Sequence, residues 1–215
     1  VKIDETPVLK AVPVKAASPI TYVPRFVAQP RLRLAYLLIF GRENWWWMIY
    51  LYVPVYAENH NMEIAVLGAQ LPVGGLALSF CSALAILAPL WGRVMRRIGM
   101  RRYVIIGFLA CAVMVALAGL MIDDPWIAIG LILVSAIPLS ATDACGNIPF
   151  LRAVKTRERT EMAMVYGTYR DMVGLVVPTI FTLLLLVFHL DIVFFATAIA
   201  LVLYASYARH LPKAM

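Results

Sequence analysis

The sequence predicts an all-α integral membrane protein of six transmembrane helices, and three observations carry that prediction. The composition is 63% hydrophobic and only 14% charged, more apolar surface than a soluble domain of this length could bury and stay dispersed. Asp, Glu, Lys and Arg are absent from 64–92, 103–122, 125–142, 172–190 and 192–208. Each stretch is about as long as the ~20 residues that carry a helix across roughly 30 Å of hydrocarbon. The 19 Lys and Arg residues are confined almost wholly to alternate connections between these stretches. Long continuous apolar runs favour helices over the short alternating strands of a membrane barrel.

The elements follow in order. Residues 1–31 form a basic tail with five prolines and little helical periodicity, predicting an extended cytoplasmic linker or arm. Its segment 19–30 is a candidate strap lying on a partner. Residues 32–215 form the transmembrane domain. Its first helix, 34–57, is long enough to cross but contains Arg42 and Glu43, and Pro54 can kink it. The second, 64–91, carries Gln70, Ser79 and Ser82, with Gly68, Gly74 and Gly75 suited to close packing and Pro72 to bending. The third, 103–121, has no strongly polar side chain and reads as lipid-facing. The fourth, 125–149, holds Pro138, Asp143 and Asn147. The fifth, 163–188, holds Arg170, Asp171 and Pro178. The sixth, 191–209, again reads as lipid-facing. Cys81, Cys111 and Cys145 all fall within apolar helices and read as small buried residues.

Basic residues orient the bundle. Lys2, Lys10, Lys15, Arg25, Arg31 and Arg33 precede the first helix. Arg93, Arg96, Arg97, Arg101 and Arg102 follow the second, and Arg152, Lys155, Arg157 and Arg159 follow the fourth. Arg209 and Lys213 follow the sixth. The remaining connections carry only Glu58 and Glu63, Asp123 and Asp124, and Asp191. Basic loops stay in the cytoplasm, so both termini are expected there. The net charge of +7 is thus a topology signal, and no nucleic-acid partner is expected. The start lacks the pattern of a signal peptide, so none is expected.

Charges inside hydrocarbon are costly and face a bundle interior or water. At 1.5 Å per residue, Arg42, Glu43, Asp143, Arg170 and Asp171 all lie about 9 to 12 Å from the cytoplasmic end. The shared depth predicts an ion-pair network joining helices 1, 4 and 5, with Arg42 and Arg170 as the cations. Arg42 and Glu43 point about 100° apart, so that network must branch. It is either a packing clamp or gate, or a coupling site on Glu43, Asp143 or Asp171. Trp45, Trp46 and Trp47 lie well inside helix 1. Most of that run is expected to pack between helices, leaving Trp46 or Trp47, with Tyr50 a turn on, as an aromatic substrate contact, and Trp46, Tyr50, Gln70 and Asn147 as cavity candidates. His60, His189 and His210 have no metal-ligand companions at helical spacing. With no nucleophile–base pair or phosphate loop either, no enzyme activity, metal or cofactor is expected.

The loop 92–102 sets Gly92 and Gly99 around basic residues that include Arg101 and Arg102. It resembles the signature loop between the second and third helices of each half of the major facilitator superfamily. Arg96 stands where the N-terminal-half version carries an aspartate. Phe40 to Trp46 with Tyr52, Val53 and Pro54 looks like the seventh helix of bacterial members. Asn147 to Arg152, Glu158 to Thr160 and Tyr169 to Asp171 look like their tenth-to-eleventh-helix segment. The resemblance covers about 34–212. It implies the C-terminal half of a twelve-helix transporter of a bacterial inner membrane, built as a three-plus-three inverted repeat, with the tail as part of the central linker. It also implies that helices 1 and 4 line the cavity, with helices 2 and 5 beside them.

The function so implied is half of a secondary transporter, moving a small solute by alternating access with a second six-helix half, with protons as the first candidate coupling ion and sodium coupling or facilitated transport as the alternatives. The alternative is a non-transporting structural or assembly subunit of a larger membrane complex, such as a pigment–protein or respiratory assembly. Fold alone does not choose between them.

Overall fold

The computed structural model describes residues 19–66 and 69–211, so what the sequence predicts for 1–18, Gly68 and Lys213 lies outside the described residues. The described chain is mostly helical. It opens with α1 (Pro19–Val27), a correction to the extended arm expected here. Pro19 stands at the first position, where a missing N–H breaks no bond, and Pro24 is tolerated because Tyr22 and Phe26 lie a turn apart on one packed face. Phe26 is 3% exposed and sits with Phe150, Met162 and Tyr166 in a satellite core. Arg25 of α1 reaches Glu161 at 3.5 Å. This segment therefore lies on its own chain.

α2 (Pro30–Asn59) is 30 residues long, about 45 Å at 1.5 Å per residue. Helix 2 does not begin at 64: β1 (Glu63–Val66) and β2 (Ala69–Pro72) pair antiparallel, with Glu63 opposite Pro72 and Val66 opposite Ala69. The Val73 N–H donates to the Met62 carbonyl at 3.1 Å, seating this ribbon at the end of α2. A short apolar run with Ile64, Val66 and Pro72 suits strands better than helix.

α3 (Val73–Ala83) passes through a 3-10 turn, Leu84–Leu87, into α4 (Ala88–Ile98), because Pro89 cannot continue the hydrogen-bond ladder. Gly99 alone joins α4 to α5 (Met100–Leu120) with a φ of 86°, a conformation that costs glycine little. α6 (Pro125–Cys145) breaks ahead of Pro149 and resumes as α7 (Ile148–Ala153). α8 (Arg159–Gly167) and α9 (Tyr169–Leu185) meet at Thr168, whose hydroxyl donates to the Val165 carbonyl at 2.7 Å. α10 (Asp191–Ala208) ends the described helices.

Among the described residues, five helical stretches are long and apolar enough to cross a membrane: Val73–Ile98, Met100–Leu120, Pro125–Ala153, Thr156–Leu185 and Asp191–Ala208. They make the chain a helical membrane protein. α2 has the length, but Arg42, Glu43, Asn44 and three tryptophans dilute its apolar content.

α5 packs between α6 and α10, and α10 packs in turn on α2, which also touches α3, α6, α7 and α9. The main core gathers Trp45, Met48, Tyr56, Phe108, Leu139 and Phe194 from these helices. α5 and α10 each bury one side and expose an apolar one: Ile106, Val113 and Leu120 on α5, and Ile199, Val202 and Leu203 on α10. Among the five spans, Val73–Ile98 and Thr156–Leu185 are the least buried. The start of α2 shares a cavity with the end of α10 (Arg31, Arg33, Tyr207 and His210), and α1 seats on α8, so basic segments collect at one end. At the other, the Tyr56 hydroxyl donates to the Ile122 carbonyl in the α5–α6 turn at 2.6 Å, beside Asp123 and Asp124.

Candidate functional site

The site is an ion triad where α2 meets the lower part of α6. Arg42 Nε lies 3.1 Å from Asp143 Oδ1, and Arg42 Nη2 donates to Glu43 Oε1. Adjacent helix positions diverge by about 100°, yet the long, flexible arginine stem lets one guanidinium meet both carboxylates. The Nε–H of Arg42 has no hydrogen-bond partner among the described residues, so its contact with Asp143 is charge against charge without an aligned N–H. One cation against two anions leaves the triad formally at −1 when all three are ionised.

Local sequence makes room for this. A Cβ at Gly146 would come within 2.9 Å of Arg42 Nη1 and 3.0 Å of the Asp143 carbonyl, so the residue following α6 must be the smallest available. Trp45 Nε1 donates to Ser135 Oγ at 3.1 Å, and Trp91 Nε1 to Ser140 Oγ at 2.9 Å. These two bonds tie α2 and α4 to successive turns of α6 and set its rotation, which aims Asp143 at Arg42.

The triad opens onto a strip of α2. Glu43, Trp46 and Tyr50 recur at helical spacing, and the Trp46 ring stacks on Tyr50 with centroids 5.4 Å apart and planes 21° from parallel. Tyr50 is 49% exposed. Trp45 is fully buried and Trp47 half-buried, the latter filling the space that Gly174 of α9 leaves open.

Other predicted site residues stand apart. Arg170 and Asp171 make no ion pair among the described residues, which corrects the network expected to include helix 5. Tyr169, Val173, Val177 and Phe181 form the buried face of α9, so the two charges following Tyr169 turn outward. Arg170 instead donates from Nε to the Tyr169 hydroxyl at 3.2 Å. Gln70 lies exposed on β2, beyond the end of α2 and about 26 Å along that helix from Arg42. Asn147 is exposed at the α6–α7 break. Gly92 sits within α4, Gly99 forms the α4–α5 joint, and Arg101 and Arg102 occupy the first turn of α5. The three cysteines are buried and free.

Gly146, Ser135, Ser140 and Trp91 are site residues that sequence reasoning missed. Ser135 and Ser140 carry a signal, as hydroxyls in a helix whose other residues, Thr142 and Asp143 apart, are apolar or small. Comparison with protein-family models, with curated proteins and with solved structures finds no match to this chain. The fold and triad define a class, a helical membrane protein with a charged cluster at one face of its bundle.

Proposed function

We propose that this chain forms one six-helix half of a secondary transporter of the major-facilitator type, moving a small solute by alternating access against a second half. The observation that supports this most is the open position of the triad. Charges at membrane depth face protein or water, because lipid cannot solvate them. Glu43 and Asp143 keep 20% and 24% of their side-chain surface exposed. The face beside them therefore calls for another polypeptide and a hydrated gap, and a second helix bundle supplies both.

On this proposal α2 is the sixth crossing, its charges explained by a place on the pathway. Trp46 and Tyr50 form an aromatic wall for the solute. Glu43 and Asp143 share Arg42, and one proton or one sodium ion neutralises the surplus charge, which supplies a coupling element. α5 and α10 turn their exposed apolar faces to lipid, and the basic end faces the cytoplasm. The glycine-flanked loop at 92–102 and the segment around Asn147 add the family likeness.

Gentle extraction from the native membrane, with the mass and composition of the particle measured, tests the proposal. The expected particle holds two six-helix units, identical or complementary. In vesicles it should take up solute in a manner that Asp143→Asn and Glu43→Gln abolish. A large particle of many unrelated subunits with no solute flux overturns the proposal and makes the chain a structural or assembly component.

A further inference from the structure

The α4–α5 joint borders a cavity of about 510 Å3 lined by Ile98, Gly99, Arg101, Arg102, Ile105 and Arg209. Half of its lining residues are arginines, two from the start of α5 and one, Arg209, that follows the end of α10. None of the three makes an ion pair among the described residues. Arg101 and Arg102 also stand in the first turn of α5, where the helix dipole already carries partial positive charge. Such a concentration of like charge is unfavourable on its own and is relieved by an anion in the cavity.

The apolar surroundings say what kind of anion. Ile98 also lines a second cavity of about 320 Å3, bounded by Trp91, Val94, Ile106, Ala110 and Pro138 among others. It runs between α4, α5 and α6 within stretches apolar enough to cross a membrane. The basic cavity thus adjoins an apolar groove through one shared side chain, the layout of a charged head above a hydrocarbon chain.

We propose that these adjoining cavities bind an anionic phospholipid, its phosphate against Arg101, Arg102 and Arg209 and one acyl chain along the α4–α5–α6 groove. Basic pockets between membrane helices hold anionic headgroups through this chemistry. The assignment rests on the helices lying in a bilayer and is independent of transport.

Native mass spectrometry of the full chain, released from detergent after exposure to phosphatidylglycerol or phosphatidylcholine, tests it. The wild type is expected to retain phosphatidylglycerol and to lose phosphatidylcholine. Replacing one of the three arginines by Gln should weaken retention about fivefold, and replacing all three on the order of a hundredfold. Arg93→Gln with Arg97→Gln, outside the cavity, should leave retention unchanged. Ala110→Phe, which fills the groove, should lower lipid retention while the arginines remain intact. Equal retention of both lipids, no loss in the triple variant, or equal loss in the Arg93/Arg97 control overturns the site. Displacement of the lipid by glycerol phosphate at matching concentration, with Ala110→Phe silent, overturns the lipid assignment in favour of a soluble phosphate.

Discussion

Removing Arg42 leaves Glu43 and Asp143 at the α2–α6 boundary with no cation between them, whereas removing the charge of Asp143 leaves Arg42 still paired with Glu43. The two changes are therefore unequal. Arg42→Gln is expected to cost about 3 kcal/mol, the low end for a broken buried pair, because these side chains keep 15% to 24% exposure. Asp143→Asn should cost clearly less, and adding it to Arg42→Gln should recover part of the loss. Thermal unfolding in detergent reads all three, and a double variant less stable than Arg42→Gln alone would contradict the shared-cation geometry. Sequence alone placed Arg42, Glu43 and Asp143 together because charges in long apolar runs are conspicuous and their depths matched. It misplaced Arg170 and Asp171 because depth says nothing of rotation, which Tyr169, Val173 and Val177 decide. Gly146 was illegible, since its role depends on a guanidinium brought from another helix.

Packing between elements turns on close approaches that adjacent residues do not share. A Cβ at Gly74 would stand 2.7 Å from the Pro54 backbone, while one at Gly75 meets nothing within 4 Å. Gly74→Ala is expected to push α3 off α2 and cost about 1–3 kcal/mol through overpacking. Gly75→Ala should be neutral or stabilising by up to about 1 kcal/mol, as alanine favours helix. Chemical or thermal unfolding of the two variants side by side checks this, and equal losses would place the α2–α3 contact elsewhere. The charge-free runs located α5 and α10 to within a few residues, because short turns leave little room for error. The ribbon from Glu63 to Pro72 is not legible in the sequence, since a short apolar run carries no periodicity that separates strand from helix. α1 escaped because its prolines outweighed the Tyr22–Phe26 spacing that seats it.

Across the described residues, Lys and Arg gather at one end, where Glu158 and Glu161 face Arg25, while the connections at the other end carry Glu58, Glu63, Asp123, Asp124 and Asp191 and no Lys or Arg; a bilayer turns that asymmetry into an orientation. Cysteines placed at exposed Glu58 and Arg157 report on it, since the native Cys81, Cys111 and Cys145 are buried. In intact cells a membrane-impermeant maleimide should label Glu58→Cys and spare Arg157→Cys, with both labelled once the membrane is opened. The reverse pattern would invert the proposed orientation. Equal labelling of both in intact cells would remove one end from the cytoplasm altogether and require a different number of crossings.

The one-residue joint at Gly99 has a mechanical consequence. With a single residue between α4 and α5, the two helices are rods on a pin, and there is no slack to absorb a tilt. α5 has 21 residues, about 31 Å of rigid arm, so a swing of about 10° at the pin sweeps its far tip by about 5 Å. That tip ends in the turn whose Ile122 carbonyl accepts the Tyr56 hydroxyl. A 2.6 Å hydrogen bond would not survive such a displacement, so the Tyr56–Ile122 contact, with the packing of α5 between α6 and α10, opposes any swing about Gly99.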